Sequence, residues 1–86
     1  MQQEEKIIAK AIGKVIKNAR KQKAVNYSVF CDTNLIPSST LDTLEKGQYS
    51  PKFYTVFKAI KALNMTFADF AKLLENELPK DIFTKE

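Results

Sequence analysis

Apolar side chains recur at helical spacing through most of this chain, and this periodicity limits the possible folds more than any other feature. In the first segment they occupy positions 7, 8, 11, 12, 15, 16 and 19, with lysines between them. A later segment places Phe53, Val56, Phe57, Ile60 and Leu63 on one helix face. The period-two alternation typical of half-buried strands is not found in the sequence. The pattern therefore predicts an all-α protein.

Capping residues and helix breakers divide the chain into five segments. Asn26 and Thr66 are good N-caps, and Gly47 follows a basic last turn, where a helix commonly ends. The predicted helices span about residues 3–23, 27–33, 38–46, 52–63 and 67–77. We predict one domain over residues 1–78 and a C-terminal tail over 79–86.

The composition argues against catalysis and metal binding. The chain has 86 residues, no histidine and one cysteine, Cys31. Imidazole-dependent catalysis, an internal disulfide and a thiolate zinc site are therefore ruled out. We expect a non-enzymatic protein without a cofactor or metal. No apolar run is long enough to span a membrane, and the N-terminus does not resemble a signal peptide, so we expect a cytoplasmic protein without a membrane partner.

The charge is mildly basic and unevenly distributed. The net charge is +4, of which residues 1–25 carry +5, residues 26–65 carry +1 and residues 66–86 carry −2. A basic front and an acidic tail suit a protein that meets a polyanion with one end, although a solvated, lysine-rich helix face explains the charge equally well.

Five short motifs occur in register between Ile12 and Phe70. They are Gly13, Ile16 and Arg20 on the first helix; the separation of Arg20 from Glu45; Glu45-Lys46-Gly47; Pro51; and Ala62-Leu63-Asn64-Met65-Thr66. In these motifs the chain resembles the Cro/phage-repressor type of helix-turn-helix domain, also called the xenobiotic-response-element family. The resemblance implies a five-helix, lambda-repressor-like DNA-binding domain with a central helix-turn-helix. Such domains are found in prokaryotes and phages.

The first helix and the end of the third are expected to be joined by an ion pair. Arg20 and Glu45 stand at the family's own spacing and are candidates for a partly buried bidentate pair with a structural role. Cys31 falls where the family has a small buried residue, and we interpret it as a small hydrophobe.

The sequence departs from the family at three places. Leu35 stands where the turn usually has a glycine in left-handed conformation, and we expect Asn34 to take that conformation instead. Pro37 occupies the usual N-cap, so either Pro37 becomes the first helical residue or the cap moves to Ser38. Tyr27 replaces a glutamine that often contacts a phosphate, a contact that its hydroxyl can also make.

The resemblance assigns DNA contacts to the third helix and its surroundings. The base-contacting positions are Ser38, Ser39, Asp42 and Thr43. The phosphate-contacting positions are Asn26, Tyr27, Ser28, Thr40, Lys46, Gln48, Tyr49 and Lys52, joined by cations near the end of the first helix such as Lys21 and Lys23. The base-contacting set lacks Arg, Asn and Gln, which make bidentate base contacts. We therefore expect specificity from thymine methyl groups, water and DNA shape. A capped, solvent-exposed helix without DNA contact is the plainer interpretation of the same residues.

The aromatic residues allow two interpretations. One is a stacking platform for single strands formed by Phe53, Phe57, Phe67 and Phe70, but their spacing favours the other, a core position. The acidic residues after position 74 are expected to form a solvated tail. The dimerisation candidates on the last helix and tail are Phe67, Phe70, Leu74, Ile82 and Phe83.

Two functions from different classes follow. The first is a sequence-specific regulator of transcription, a repressor, that binds double-stranded DNA as a homodimer, as small phage repressors and restriction-modification controllers do. The second is a protein-interaction module of the same fold, similar to an antitoxin or an antirepressor, with weak base readout or none. Three features favour the second function. The third helix lacks the side chains that make bidentate base contacts, Leu35 stands in the turn, and Asp42 places a carboxylate among the base-contacting positions.

Overall fold

The computed structural model describes residues 2–83, and within this range it contains five helices and no strand. The helices are α1 (Gln3–Gln22), α2 (Tyr27–Thr33), α3 (Ser38–Lys46), α4 (Phe53–Ala62) and α5 (Phe67–Glu77). The all-α prediction is confirmed, and each helix end lies within one residue of its predicted position. Of the predicted tail, residues 80–83 form a turn, and residues 84–86 lie outside the described range.

Side-chain and glycine caps fix three of the helix ends. Oδ1 of Asn26 accepts hydrogen bonds from the N–H groups of Ser28 and Val29, at 2.9 and 3.3 Å, and so begins α2. Oγ1 of Thr66 accepts a 3.0 Å bond from the N–H of Asp69 and begins α5. Gly47 ends α3 in left-handed conformation with φ +64°.

Two glycines allow α1 to lie directly against α3. A Cβ on Gly13 would lie 2.5 Å from the carbonyl oxygen of Glu45 and 2.7 Å from that of Leu44. A Cβ on Gly47 would lie 2.7 Å from Cα of Lys10. Because the obstructing atoms belong to the backbone, α1 and α3 approach this closely only where both side chains are missing.

The core lies where α1, α3 and α4 meet. Ile16, Leu41 and Ile60, one from each of these helices, are its most completely buried large side chains. Phe30 and Cys31 from α2 and Phe70 from α5 also belong to this core. Helix α5 packs on α1 and α4, and α2 packs on α3. The apolar stripes predicted for α1 and α3 therefore point inward.

The turn between α2 and α3 differs from the expectation. Leu35, with φ +55°, holds the left-handed position, whereas Asn34 has φ −101°. The N–H of Ile36 donates to the carbonyl of Cys31 and that of Leu35 to the carbonyl of Asp32, which is a Schellman motif with Leu35 at its left-handed position. Ile36 is buried, so the residue directly before it must make the reversal. The prediction for Asn34 was wrong for this reason.

Pro37 begins α3 in a way that neither alternative anticipated. It is itself the N-cap, with φ −57° and ψ 138°, and Ser38 is the first helical residue. A proline can stand there because the cap residue needs no helical ψ, and its side chain makes no cap hydrogen bond.

The aromatic residues correct a second expectation. Phe70 is 3% exposed and belongs to the core, but Phe53, Phe57 and Phe67 are 65%, 38% and 45% exposed. The inward face of α4 is filled by Val56, Ala59 and Ile60, which leaves Phe53 and Phe57 at its edge. The core interpretation was therefore wrong for three of the four rings.

Candidate functional site

The four residues predicted to contact bases lie together on the exposed face of α3. Ser38, Ser39, Asp42 and Thr43 follow one another at positions i, i+1, i+4 and i+5, and all four are exposed. Leu41 and Leu44 occupy the opposite face and are buried. Helix α3 is thus anchored by one side and presents a short hydroxyl-rich surface, with one carboxylate, on the other.

Asp42 and Lys46 form an ion pair along this face. Oδ2 of Asp42 lies 3.0 Å from Nζ of Lys46, and both side chains are more than half exposed. An exposed pair at i, i+4 stabilises a helix by only about 0.3–0.5 kcal/mol, so another anion can replace Asp42. The pair nevertheless reduces the net positive charge beside Ser39 and Thr43.

Tyr27 holds the start of α3 instead of presenting a free donor. Its hydroxyl donates to the backbone carbonyl of Ser38 at 3.1 Å, and the guanidinium carbon of Arg20 lies 4.8 Å from its ring centroid. Burial raises the pKa of the Tyr27 hydroxyl, so it stays protonated at neutral pH. A hydroxyl has one hydrogen, and in this geometry none remains for a phosphate. The structure therefore gives Tyr27 a positioning contact in place of the expected phosphate donation.

Arg20 and Glu45 are brought together as a bidentate pair. Nε of Arg20 lies 2.6 Å from Oε2 of Glu45, and Nη2 lies 3.0 Å from Oε1. Their side chains are 11% and 7% exposed. The hydrogen bond to Glu45 raises the pKa of Arg20 further above its already high value, so the guanidinium stays charged. Together with Tyr27, it joins α1, α2 and α3 at one point and fixes the orientation of α3.

A cleft of about 400 Å³ lies between α3 and the segment leading into α4. It brings residues of the predicted base-contacting set, Ser39 and Thr43, together with Thr40, Tyr49 and Lys52 of the predicted phosphate-contacting set. Ser50 and Thr55 add two further hydroxyls that sequence reasoning missed. Their positions, just before and within α4, carry no signal in the sequence pattern. The cleft is therefore a polar recess beside the exposed face of α3.

The remaining phosphate candidates are exposed but do not line this recess. Ser28 is on the first turn of α2, where Asn26 uses its side-chain oxygen as the cap, and Gln48 follows Gly47 after α3. Lys21 and Lys23 are exposed at the end of α1. Lys14 lies further back on α1 and pairs with Glu77 of α5 at 3.1 Å.

The dimerisation candidates differ in their exposure. Phe70 is part of the core and is unavailable to a partner, which corrects its assignment. Leu74 is half-buried against the core, whereas Phe67 is exposed. Ile82 is half-buried, and the exposed Phe83 has a left-handed backbone with φ +67°. Phe67 instead meets Phe53 and Phe57, two residues that sequence reasoning assigned to the core because their spacing is that of a buried helix face.

Cys31 lies on the buried face of α2, and burial raises the pKa of its thiol. A protonated, inaccessible thiol is a poor nucleophile, in agreement with its interpretation as a small core residue. Over residues 2–83, no group of three His, Cys, Asp or Glu side chains is placed to hold a metal ion. Over the same range, none of the helices combines the length and apolar character that crossing a bilayer requires.

Comparison of the chain with protein-family models, with curated proteins and with solved structures finds no match. The function must therefore be inferred from the residues and their geometry.

Proposed function

We propose that this protein is a sequence-specific regulator of transcription, a repressor, which binds double-stranded DNA as a homodimer through a helix-turn-helix formed by α2 and α3. The observation that carries the proposal is the exposed face of α3, where Ser38, Ser39, Asp42 and Thr43 project from a helix fixed on its other side. The motifs that resemble the Cro/phage-repressor family assign base contacts to this same face.

In this proposal α3 lies in the major groove with its N-terminal residues toward the bases. The hydroxyls of Ser39 and Thr43 are short and can both donate and accept, so each discriminates weakly between bases. The methyl group of Thr43 can contact a thymine methyl group. Specificity then depends mainly on apolar contacts, bridging water and the shape of the duplex.

Phosphate contacts come from the rim of the recess. Lys52, Tyr49 and Thr40 line it. Lys46 contributes its full charge only when a phosphate replaces Asp42 as its partner. The usable positive charge is therefore small, and one copy binds weakly. A homodimer placing two α3 helices in successive major grooves, about 34 Å apart, doubles these contacts.

The deciding experiment is selection of bound sites from a random duplex pool, followed by a salt titration on selected and random duplexes. The proposal predicts a preference of at least ~10³-fold for the selected site and a steep fall in affinity as salt rises. Ser39→Ala and Thr43→Ala change the site preference, whereas Lys46→Ala weakens all duplexes alike. Micromolar binding without preference, or none, excludes the proposal.

A protein-interaction module of the same fold, antitoxin-like or antirepressor-like, is the second candidate. Asp42 favours it, because a carboxylate on the recognition face repels phosphates and can only accept hydrogen bonds, which limits it to base amino groups and favours that of cytosine. The hydroxyl of Tyr27 also favours this candidate, because it already donates to the carbonyl of Ser38 and has no hydrogen left for a phosphate. If this candidate is right, the duplex pool yields no enriched sequence.

A further inference from the structure

Five lysines form a line along α1, here called the lysine stripe. Successive members are three or four residues apart, so on a helix of about 3.6 residues per turn they fall within an arc of about 80°. At about 1.5 Å per residue, the line extends about 22 Å along the helix. All five residues are exposed: Lys6, Lys10, Lys14, Lys17 and Lys21.

The stripe keeps nearly all of its positive charge. The acidic residues of α1, Glu4 and Glu5, are in its first turn, and neither has a lysine three or four residues further on. Within residues 2–83, one ion pair involves the stripe. It joins Nζ of Lys14 to Oε1 of Glu77 at 3.1 Å, and the lysine side chain is 62% exposed. An ion pair this exposed is weak, so another anion can replace Glu77.

The arrangement of the stripe weakens α1 as an isolated element. Like charges three or four residues apart on a helix repel each other, and every successive pair of the stripe has this spacing. A helix face that is only solvated commonly alternates lysine with glutamate and so gains ion pairs. A line of one sign is expected where a line of opposite charge binds, because the bound polyanion removes the repulsion.

The residues around the stripe favour a nucleic acid duplex as the polyanion. Beyond the first turn, the other exposed residues of α1 are Asn18 and Gln22, so no aromatic ring is present to stack on the bases of a single strand. Protein interfaces are depleted in lysine and use apolar anchors, which this face lacks. The apolar side of α1 is packed in the core, so it is unavailable to a membrane.

The length of the stripe suits a duplex backbone. Each strand of duplex DNA presents a phosphate about every 3.4 Å along the axis, which gives roughly six phosphates over the length of the stripe. The stripe is also straight and rigid, because α1 is one continuous helix of 20 residues.

We propose that the lysine stripe binds the phosphate backbone of a second DNA duplex without reading its sequence. Helix α1 meets α3 at Leu44, Glu45 and Gly47, the C-terminal end of α3, whereas the predicted base contacts lie at residues 38–43. Of the stripe, only Lys21 belongs also to the predicted phosphate contacts of α3. A chain that holds one duplex on α3 can therefore hold another on α1 and bridge the two. The bridging rests on the proposed function, whereas duplex binding by the stripe does not.

Amide chemical shifts of the full chain, titrated with a random-sequence duplex of about two helical turns, separate the two surfaces. We expect shifts along the exposed face of α1 from Lys6 to Lys17, in addition to shifts on α3. Shifts on α1 alone would contradict the proposed function and leave the stripe as a duplex-binding surface. Shifts confined to α3, or no shifts at all, overturn the inference.

The double variant Lys10→Gln/Lys17→Gln removes two charges and every like-charge neighbour pair of the stripe. We expect the salt dependence of duplex binding, measured from the α1 shifts, to fall by about 1.8 in the log–log slope, since each phosphate contact contributes about 0.9. The melting temperature should rise because repulsion is relieved, so the weaker binding is not caused by unfolding.

The matched control is Lys72→Gln/Lys80→Gln, which makes the same change in net charge at two exposed positions outside the stripe. It should leave the slope unchanged. An equal fall of the slope in the control, or an unchanged slope in the stripe variant, overturns the inference.

The partner and the bridging are tested separately. Poly-glutamate should bind α1 at least tenfold more weakly than the duplex at equal concentration of charge, and equal binding would make an acidic protein the partner. Energy transfer between donor-labelled and acceptor-labelled duplexes should appear when the chain is added, and the stripe variant should reduce it at least tenfold. Transfer that the stripe variant leaves unchanged would show that duplexes are joined by other surfaces, and it overturns the bridging.

Discussion

The guanidinium of Arg20 on α1 donates hydrogen bonds to both carboxylate oxygens of Glu45 on α3, with Nε–Oε2 at 2.6 Å and Nη2–Oε1 at 3.0 Å. The ring of Tyr27 on α2 lies 4.8 Å from the guanidinium carbon. The hydroxyl of Tyr27 in turn donates to Ser38, the first residue of α3. One nearly buried ion pair therefore connects the three helices that determine how the exposed face of α3 is presented.

Removing either partner of this pair should destabilise the fold strongly. Arg20→Ala leaves the carboxylate of Glu45 buried without its cation, and Glu45→Ala leaves the guanidinium without its anion. We expect each variant to lose about 3–5 kcal/mol of unfolding free energy, measured by urea unfolding with circular dichroism. The double variant should lose much less than the sum, because the second substitution removes the charge that the first left unpaired.

Lys14→Ala is the matched control for this prediction. Its ion pair with Glu77 is at 3.1 Å but exposed, so its loss should cost less than about 1 kcal/mol. Equal effects of Lys14→Ala and Arg20→Ala, or strictly additive effects of the two changes at Arg20 and Glu45, would show that the buried pair is not coupled.

Gly13→Ala tests the contact between α1 and α3. Alanine ordinarily stabilises a helix interior by about 1 kcal/mol relative to glycine. Here the added Cβ meets the carbonyl oxygen of Glu45 at 2.5 Å, and the helices must separate. We expect a net loss of about 1–2 kcal/mol in the same urea assay, since overpacking typically costs about 1–3 kcal/mol. A gain in stability would show that the helices are not in this close contact.

Leu35→Gly should stabilise the protein. Leu35 holds φ +55° while its side chain is 77% exposed, so glycine relieves backbone strain and loses little buried surface. The strain of about 1–2 kcal/mol exceeds the greater entropy that glycine gives the unfolded chain, and we expect a gain of about 0.5–1 kcal/mol.

Asn34→Gly is the contrasting variant. Its φ of −101° needs no glycine, and the substitution removes the 2.9 Å hydrogen bond from Nδ2 to the carbonyl of Phe30. We expect a loss of about 1 kcal/mol. If Asn34→Gly stabilised the protein and Leu35→Gly destabilised it, the left-handed residue of the turn would be Asn34 and not Leu35.

The sequence was sufficient to predict the helices because their ends carry local signals. Asn26, Thr66 and Gly47 each act within a few residues, and the apolar stripes identify the inward face of α1 and α3. Local signals of this kind could not predict which residue of the α2–α3 turn adopts the left-handed conformation. Residue type favours Asn34, but the tertiary requirement to bury Ile36 places the reversal at Leu35.

The candidate site was predicted only in part for a similar reason. Spacing places Ser38, Ser39, Asp42 and Thr43 on one face of a helix, and this requires no tertiary information. Spacing cannot show how wide the buried face of α4 is, so Phe53 and Phe57 were assigned to a core that Val56, Ala59 and Ile60 already fill. Nor can it show that the hydroxyl of Tyr27 is used by a backbone carbonyl eleven residues away.

Alkaline pH should destabilise the protein partly through Cys31. Burial raises the pKa of this thiol above its value in the unfolded chain, so the folded state holds the proton more tightly. Stability is therefore unaffected below the unfolded pKa of about 8.5 and falls as pH rises through the folded pKa. The loss of unfolding free energy between about pH 7 and about pH 9.5 should be smaller in Cys31→Ala than in the unsubstituted chain. An identical loss in both would show that the thiol ionises equally easily in both states.

Asp42→Asn tests whether a duplex meets the exposed face of α3. The substitution removes an anion from this face and releases Lys46, which lies 3.0 Å from the carboxylate. If α3 enters the groove, we expect tighter binding to random duplexes, because the carboxylate that repels phosphates and competes with them for Lys46 is gone. The measurement is a fluorescence-anisotropy titration at several salt concentrations.

Glu77→Gln is its control, since it makes the same change in net charge and releases Lys14 on a different part of the molecule. Because Lys14 belongs to the lysine stripe, amide shifts assign each effect to α3 or to α1. Equal tightening at both helices by both variants would mean that only the net charge matters, and no change at α3 in either would mean that the duplex does not contact α3. A loss of preference at one base pair of a selected site, without tighter binding to random duplexes, would instead identify Asp42 as a reader of a cytosine amino group.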